Sequence, residues 1–437
     1  MVIKTAKTID NAFIIEAIRK KLDNNHRLQR LQDYYEGRHD ILLRFYKDTE
    51  KPNNRIVVNF CKNISDFLTA YVVGVPIKYE APQIILDNLN YNDNDETTMQ
   101  VVLDMNKMGF GAELFYTDSD GTARFSCIDP RETIFIFDDS IEENLIAFIR
   151  LYPKEDESEG YNVTVYSDTE YTQYDLSLSV GELKARTTTP HYFGDVPAVF
   201  YPNNRELSGT FEGIMSLQDA LNKLVSDSIN DWEGFVDSYL VLTGLQATQS
   251  DDVAKMRQDR ILLLDGEASA EWLTKQVQHD HIKELKDSIT RKIRELGALA
   301  DLENLGSFGA SGVALKFKLI PTDIQASKQE RTIKKGIQRK LELLYNILRI
   351  TDPVIGNYTD VKIEFERNFI MITDKIEEAR LDTELVRDEI ISKEYFLMKH
   401  KGMTVKEVQD EINLIDRHRL GMDTYPEMNE SEEYTNE

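Results

Sequence analysis

The 437-residue chain carries 77 acidic and 52 basic side chains, a formal net charge of −25. So large a surplus of carboxylates excludes a generic binder of nucleic acid or anionic membrane, because such binding neutralises phosphates with Lys and Arg. A hydrophobic share of 41% excludes a chain that is disordered throughout.

The length predicts two or three domains, and the pattern is α+β. Residues 8–36 read as a helix, with Ile14, Ile15, Ile18, Leu22, Leu28 and Leu31 at helical spacing. Pro52, Asn53 and Asn54 carry turn chemistry. Residues 56–74 are apolar and helix-length, 75–79 read as a strand, and 82–108 as two helices around a polar break at 91–96. From Gly109 the period changes to two. Strands are predicted at 113–118, 122–128, 133–138, 145–152, 161–167, 170–176 and 182–187. Asp118-Ser119-Asp120-Gly121 reads as a hairpin turn, since it lacks the first Asp and the terminal Glu of a calcium loop.

Residues 210–243 follow 3.6 spacing through Leu217, Leu221, Leu224, Val225, Ile229, Trp232, Val236 and Tyr239, which predicts one long helix. A short-period excursion follows to Gln278, with a strand expected at 260–265, and then a helix from His281 to Leu299. Three glycines fall within Gly306–Gly312. Helical pattern resumes at 313–319 and 322–349, and Pro321 is expected to split it. A strand at 361–365 precedes helical sequence from Thr373 to Leu420, with Gly402 ending one helix and Thr404 and Glu407 forming a capping box. Residues 421–437 hold six acids and no bases and are expected to be a disordered tail. The charge is unevenly spread: residues 91–180 carry −15, whereas 279–350 carry +5.

Cys61 and Cys127 are too few for a disulfide framework or a Cys-rich zinc site and read as idle thiols in a reducing compartment. There is no signal-peptide pattern and no run of about 18 apolar residues, so the expectation is a soluble protein made in a cytosol, with no membrane partner. The sequence holds no P-loop, no H-E-x-x-H, no C-x-x-C pair and no G-x-S-x-G elbow. His279-Asp280-His281 reads as a solvated helix entry rather than a metal pair. No catalytic residue, metal ligand or cofactor is assigned. The balance leans to a structural or interaction protein; the rivals are a metal-dependent nuclease and a capsid morphogenesis protein without a channel.

Several segments, taken in order, resemble portal proteins of tailed phages of the SPP1 type. They are Tyr34-Tyr35-Glu36-Gly37-Arg38-His39-Asp40-Ile41-Leu42, Lys51-Pro52-Asn53-Asn54-Arg55-Ile56-Val57-Val58-Asn59-Phe60 and Tyr71-Val72-Val73-Gly74-Val75-Pro76-Ile77. Further on come Tyr201-Pro202-Asn203-Asn204, Gly209-Thr210-Phe211-Glu212-Gly213, Tyr239-Leu240-Val241-Leu242-Thr243-Gly244 and Ser311-Gly312-Val313-Ala314-Leu315-Lys316-Phe317-Lys318-Leu319.

The resemblance implies a multidomain portal fold of wing, stem, clip and crown, closed into a dodecameric ring around a channel at one capsid vertex. DNA would be packaged, retained and ejected through that channel. By position, 1–210 would be wing, 211–243 the first stem helix, 244–280 the clip and 281–300 the second stem helix. Residues 301–313 would be the tunnel loop (Asn304, Leu305, Gly306, Ser307, Phe308, Gly309, Ala310, Ser311 and Gly312), 314–370 a kinked long helix returning to the wing, 371–420 the crown and 421–437 the tail. Implied partners are further copies of the chain, double-stranded DNA, the terminase large subunit, a head–tail connector, and the major capsid and scaffolding proteins. Lys283, Lys286, Arg291, Lys292 and Arg294 on the second stem helix are the candidates for limited attraction of DNA, though helical spacing forbids all five from facing one way. Trp232 and Phe235 either join neighbouring copies or pack within one.

Overall fold

The computed structural model describes residues 1–45, 52–154, 160–177, 183–236, 239–243, 269–273, 279–300, 312–353, 355–367, 372–401, 403 and 405–419. The chain divides into two compact units, Met1–Leu302 with Lys318–Asn368, and Glu303–Phe317 with Phe369–Glu437.

The first unit opens with strand β1 (Val2–Lys4) and helix α1 (Asn11–Tyr35). The Asp10 carboxylate starts α1 by accepting from the Phe13 N–H at 2.8 Å. A 3₁₀ turn (Asp40–Leu43) leads to α2 (Phe60–Val73), β2 (Lys78–Glu80), α3 (Gln83–Tyr91) and α4 (Asn94–Met108). Gly109 ends α4 at φ +89°, where an added Cβ would lie 2.0 Å from the Leu207 carbonyl oxygen.

The strands that follow are β3 (Phe110–Thr117), β4 (Ala123–Cys127), β5 (Thr133–Phe137), β6 (Leu145–Pro153), β7 (Tyr161–Tyr166), β8 (Glu170–Leu176), β9 (Leu183–Pro190) and β10 (Ala198–Pro202). They build a six-stranded sheet in the order β1-β5-β6-β7-β8-β9, parallel only at β1–β5, and a three-stranded antiparallel sheet β10-β3-β4. The run Ile134-Phe135-Ile136-Phe137 is apolar without a break because β5 has a core on each face. Ile134 and Ile136 pack with Ile14, Ala17 and Ile18 of α1, whereas Phe135 joins the cluster of Leu68, Phe110 and Phe148. The Asp118 carboxylate accepts from the Asp120 and Thr122 N–H groups, and Gly121 sits at φ +80°, so the β3–β4 turn is the hairpin its residues suggest.

Next come α5 (Met215–Val236), a two-stranded sheet of β11 (Tyr239–Thr243) and β12 (Ser269–Leu273), α6 (His279–Leu296), α7 (Gly312–Thr351), which belongs to this unit from Lys318 on, and β13 (Lys362–Glu364) paired with β2. The second unit holds α8 (Ile372–Arg387), α9 (Lys393–Lys401) and α10 (Val405–Arg419).

Three sequence expectations are corrected. The helix expected over 211–243 ends at Val236, and Tyr239–Thr243 is a strand registered against Ser269–Leu273. Tyr-Leu-Val-Leu-Thr suits a strand as well as a helix face, and its cross-strand partner lies 30 residues on, outside any local window. Pro321 does not split α7. The helix runs through it: the ring removes one N–H donor and crowds the carbonyl four residues back, which can bend a helix without ending it, and here the ring lies exposed. Helix α6 starts two residues early, so His279, Asp280 and His281 form its first turn. Strands β1 and β10 were not anticipated. The expected strand at 260–265, the Gly402 stop, the Thr404 cap and the 421–437 tail lie outside the described residues.

Candidate functional site

Helices α5 and α6 flank the chain's excursion through β11 and β12, and they pack on one another through Leu221 and Val225 of α5 and Ile289 and Ile293 of α6. A polar row flanks this apolar stripe on α5, and it is largely buried. Gln218, Asn222, Ser226 and Asn230 recur every four residues, a rise of about 6 Å along a helix. Beside them residues 54–59 run without helical or sheet bonding up to the start of α2 at Phe60, and two residues of extended chain advance about 6.6 Å.

The two repeats therefore stay in step. Asn230 Oδ1 accepts from Asn54 N at 2.8 Å, Ser226 Oγ from Ile56 N at 2.9 Å, Asn222 Oδ1 from Val58 N at 2.9 Å and Gln218 Oε1 from Phe60 N at 3.1 Å. Gln218 Nε2 returns a bond to the Val58 carbonyl and another to Asn222 Oδ1. Backbone donors that no sheet satisfies are satisfied here by helix side chains.

The α5 ladder also holds the 3₁₀ turn. His39 is 1% exposed, with its ring stacked on Tyr34 at 4.6 Å. Its Nε2 faces the Tyr34 carbonyl at 2.9 Å, which can only accept, and its Nδ1 faces Asn222 Nδ2 at 2.7 Å. Because Asn222 Oδ1 is taken by two donors, its Nδ2 donates, and His39 is the neutral Nε2–H tautomer. Burial lowers the His39 pKa accordingly. Arg44 reaches from the end of the turn to Asp227, Asn53 Oδ1 and the Asn54 carbonyl.

Helix α7 is tied to the three-stranded sheet by a second buried arrangement. Lys340 Nζ donates to Glu113 Oε1 at 2.6 Å, the Tyr201 hydroxyl donates to Glu113 Oε2, and the ammonium lies 3.8 Å from the Phe125 ring centroid. One turn earlier Gly336 meets the Tyr201 ring, where an added Cβ would lie 2.1 Å from a ring carbon.

Of the basic candidates, Lys283, Lys286, Arg291 and Lys292 are exposed on α6 and Arg294 is half-buried. At 100° per residue, Lys283, Lys286 and Arg294 fall within an arc of about 80°, while Lys292 lies about 120° from Lys286 across the apolar stripe. Lys292 is paired with Glu295 at 2.6 Å. Helix α6 thus brings three of the five together and turns one away. Of the predicted tunnel loop, Asn304–Ser311 lies outside the described residues and Gly312 is the first residue of α7. Trp232 is 67% exposed. Among the described residues, no three His, Cys, Asp or Glu side chains gather as metal ligands, and no helix is long and apolar enough to cross a membrane.

The α5 ladder and the Glu113–Lys340 pair were not singled out in the sequence. A polar stripe at four-residue spacing was visible, but solvent and a buried partner leave the same stripe.

The model of the phage portal protein family of the SPP1 Gp6-like type matches residues 16–419, and the chain belongs to that family. It is 20% identical over 435 residues to the portal protein of Clostridium phage phiCD119, covering 87% of this chain and 94% of that one. Among solved structures it is similar to a chain from the virion of a native gene transfer agent particle (11% identity, TM-score 0.46, 78% of this chain and 89% of that one). It is also similar to a chain from the neck of an empty particle of the same kind (11% identity, TM-score 0.43, 78% and 88%).

Proposed function

We propose that this chain is the portal subunit of a tailed phage or prophage. Copies close into a ring, a dodecamer, at one capsid vertex; double-stranded DNA is packaged, retained and ejected through the central channel. The ring docks the terminase large subunit first and the head–tail connector afterwards, and meets the major capsid and scaffolding proteins at its rim. The observation that carries this reading is the family match over residues 16–419.

In this reading residues 1–210 are wing, α5 and α6 are the stem, 244–280 the clip, 301–313 the tunnel loop, α7 with the return to β13 the link back to the wing, and α8–α10 the crown. The charge pattern supports a conduit. An acidic ring, about −300 for twelve copies, repels phosphates and keeps DNA from sticking. The Lys283–Lys286–Arg294 face of α6 supplies limited attraction where the duplex passes.

The test is DNA uptake by heads assembled with the purified chain. Heads that contain it should package DNA, and heads that lack it should not; full packaging without it would overturn the reading. Changing Lys283, Lys286 and Arg294 to Glu should lower the DNA packaged per head, while Lys292→Glu should not. Equal packaging by the triple variant would remove those residues from the channel. A nuclease would instead degrade DNA when the chain is mixed with it and magnesium.

A further inference from the structure

Helix α3 ends at Tyr91 and α4 begins at Asn94, so Asn92 and Asp93 alone join them. The junction is fixed to the β3–β4 hairpin. Asn92 Nδ2 donates to the Asn88 and Ala123 carbonyls at 2.9 and 3.1 Å, and its Oδ1 accepts from Phe125 N at 3.2 Å. Between α3, β2 and the start of α4 lies a cleft of about 600 Å³, within the size range of ligand sites. Its inner wall is Ile77 and Leu89, both buried, with Tyr79 and Leu86, both half-buried. The exposed side chains of Asp93, Asp95 and Glu96 stand at its mouth.

Two features of this cleft have no counterpart inside the fold. The first is charge. No basic side chain lines the cleft, and among the described residues Asp93, Asp95 and Glu96 enter no ion pair. The nearby Lys78 and Lys362 are already paired, with Glu366 and Glu80. Carboxylates in the first turn of α4 suit its dipole, which accounts for Asp95 and Glu96 but not for Asp93 ahead of the helix. The second feature is Asn94, which lines the cleft and is 5% exposed. Its Nδ2 donates to the Tyr79 hydroxyl at 3.3 Å and lies 3.5 Å from Asp95 Oδ1. A carboxylate only accepts, so the amide is held this way round and Asn94 Oδ1 is left without a donor. A buried acceptor left unpaired costs free energy that a ligand's N–H can return.

We propose that this cleft receives an arginine side chain presented by a partner protein. The aliphatic stem lies along Ile77, Leu86 and Leu89, the guanidinium meets the carboxylates at the mouth, and one N–H donates to Asn94 Oδ1. Arginine suits the site because its five donors, fixed in a planar fork, can serve an amide oxygen and more than one carboxylate together. The three carboxylates do not gather as metal ligands, so the cation that fits is organic. A smaller cleft of about 120 Å³ adjoins the first, sharing Ile77, Asp95 and Glu96, and is walled by Val73, Pro76 and Met99, the last 40% exposed. It offers an apolar seat beside the cationic one, which a free amine would leave empty and a peptide with an apolar residue next to its arginine would fill. The inference stands on this cleft and does not depend on copies closing into a ring.

The probe is a fluorescent peptide, Gly-Arg-Leu-Gly with both ends blocked, and its binding to the full chain is read by anisotropy at physiological salt. Replacing its arginine by citrulline, which keeps the shape and loses the charge, should weaken binding about tenfold, and replacing its leucine by glycine should weaken it severalfold. Asp93→Asn with Glu96→Gln, both at exposed positions, should weaken binding of the unaltered peptide about tenfold. Asp139→Asn with Glu142→Gln removes the same charge from the exposed turn between β5 and β6 and should leave binding within about twofold of the parent. Circular dichroism matching the parent shows that each variant is folded. No binding by the parent, equal binding by the cleft variant, or equal binding of the citrulline peptide would overturn the proposal. Displacement of the peptide by spermidine, with no gain from the leucine, would give the cleft to a free amine and overturn the partner segment.

Discussion

Lys340 and Glu113 hold opposite charges where their side chains are 1% and 0% exposed. Replacing such a pair with apolar residues of similar volume is often tolerated, whereas removing one partner strands a buried charge at a cost of about 3–5 kcal/mol. Lys340→Met alone should therefore lower the unfolding free energy by about that amount, and Lys340→Met with Glu113→Leu should recover much of the loss, read by denaturant titration. A single variant as stable as the parent would contradict the pairing. His39 carries a pH dependence of known sign. Burial holds its pKa below the usual value, against the pull of Asp219 and Asp40. As pH falls, the unfolded chain, with a histidine near about 6.5, takes up the proton first. The contribution is complete above that pH and is lost as pH falls through the folded value. His39→Gln should flatten this part of the profile between pH 7 and 5; an unchanged slope would contradict a neutral buried imidazole. Burial also pushes the Cys61 thiol up to about 12, so it should resist iodoacetamide at pH 8 until the chain unfolds.

At the scale of elements, the α5 ladder fastens residues 54–60 and the 3₁₀ turn to the helix. Asn222→Ala would leave the Val58 N–H and His39 Nδ1 without their partner inside the fold. The expected cost is about 1–3 kcal/mol in a thermal or denaturant melt, and a loss below a few tenths would mean the ladder is not structural. The element order shows what the sequence could convey. Periodicity and turn residues located α1 through α4 and seven of the strands in the two larger sheets. It failed where two periods fit equally, at Tyr239–Thr243, and where a breaker was read as a boundary, at Pro321. The ladder was illegible because its meaning lies in a partner 164 positions away from Asn222, and Val58 sits in a segment with no period of its own. Lys340 was hidden in the same way. A lysine among apolar residues on α7 looks solvated until Glu113 and Tyr201 are placed beside it. The candidate site residues on α6 came from resemblance; the structure contributes their angular sorting.

For the whole molecule, the net charge of −25 and the family membership converge on one account. The chain is acidic enough to repel DNA, its local excess of basic residues falls at 279–350, and the Lys283–Lys286–Arg294 face lies in that stretch. The proposed conduit needs many copies in a closed arrangement. The most direct measurement is negative-stain imaging of the purified full-length chain, with its mass taken by native mass spectrometry. Closed rings with a central hole, and a mass that is a whole multiple of 50.5 kDa, are predicted. Monomers, sheets or open filaments in place of rings would contradict it.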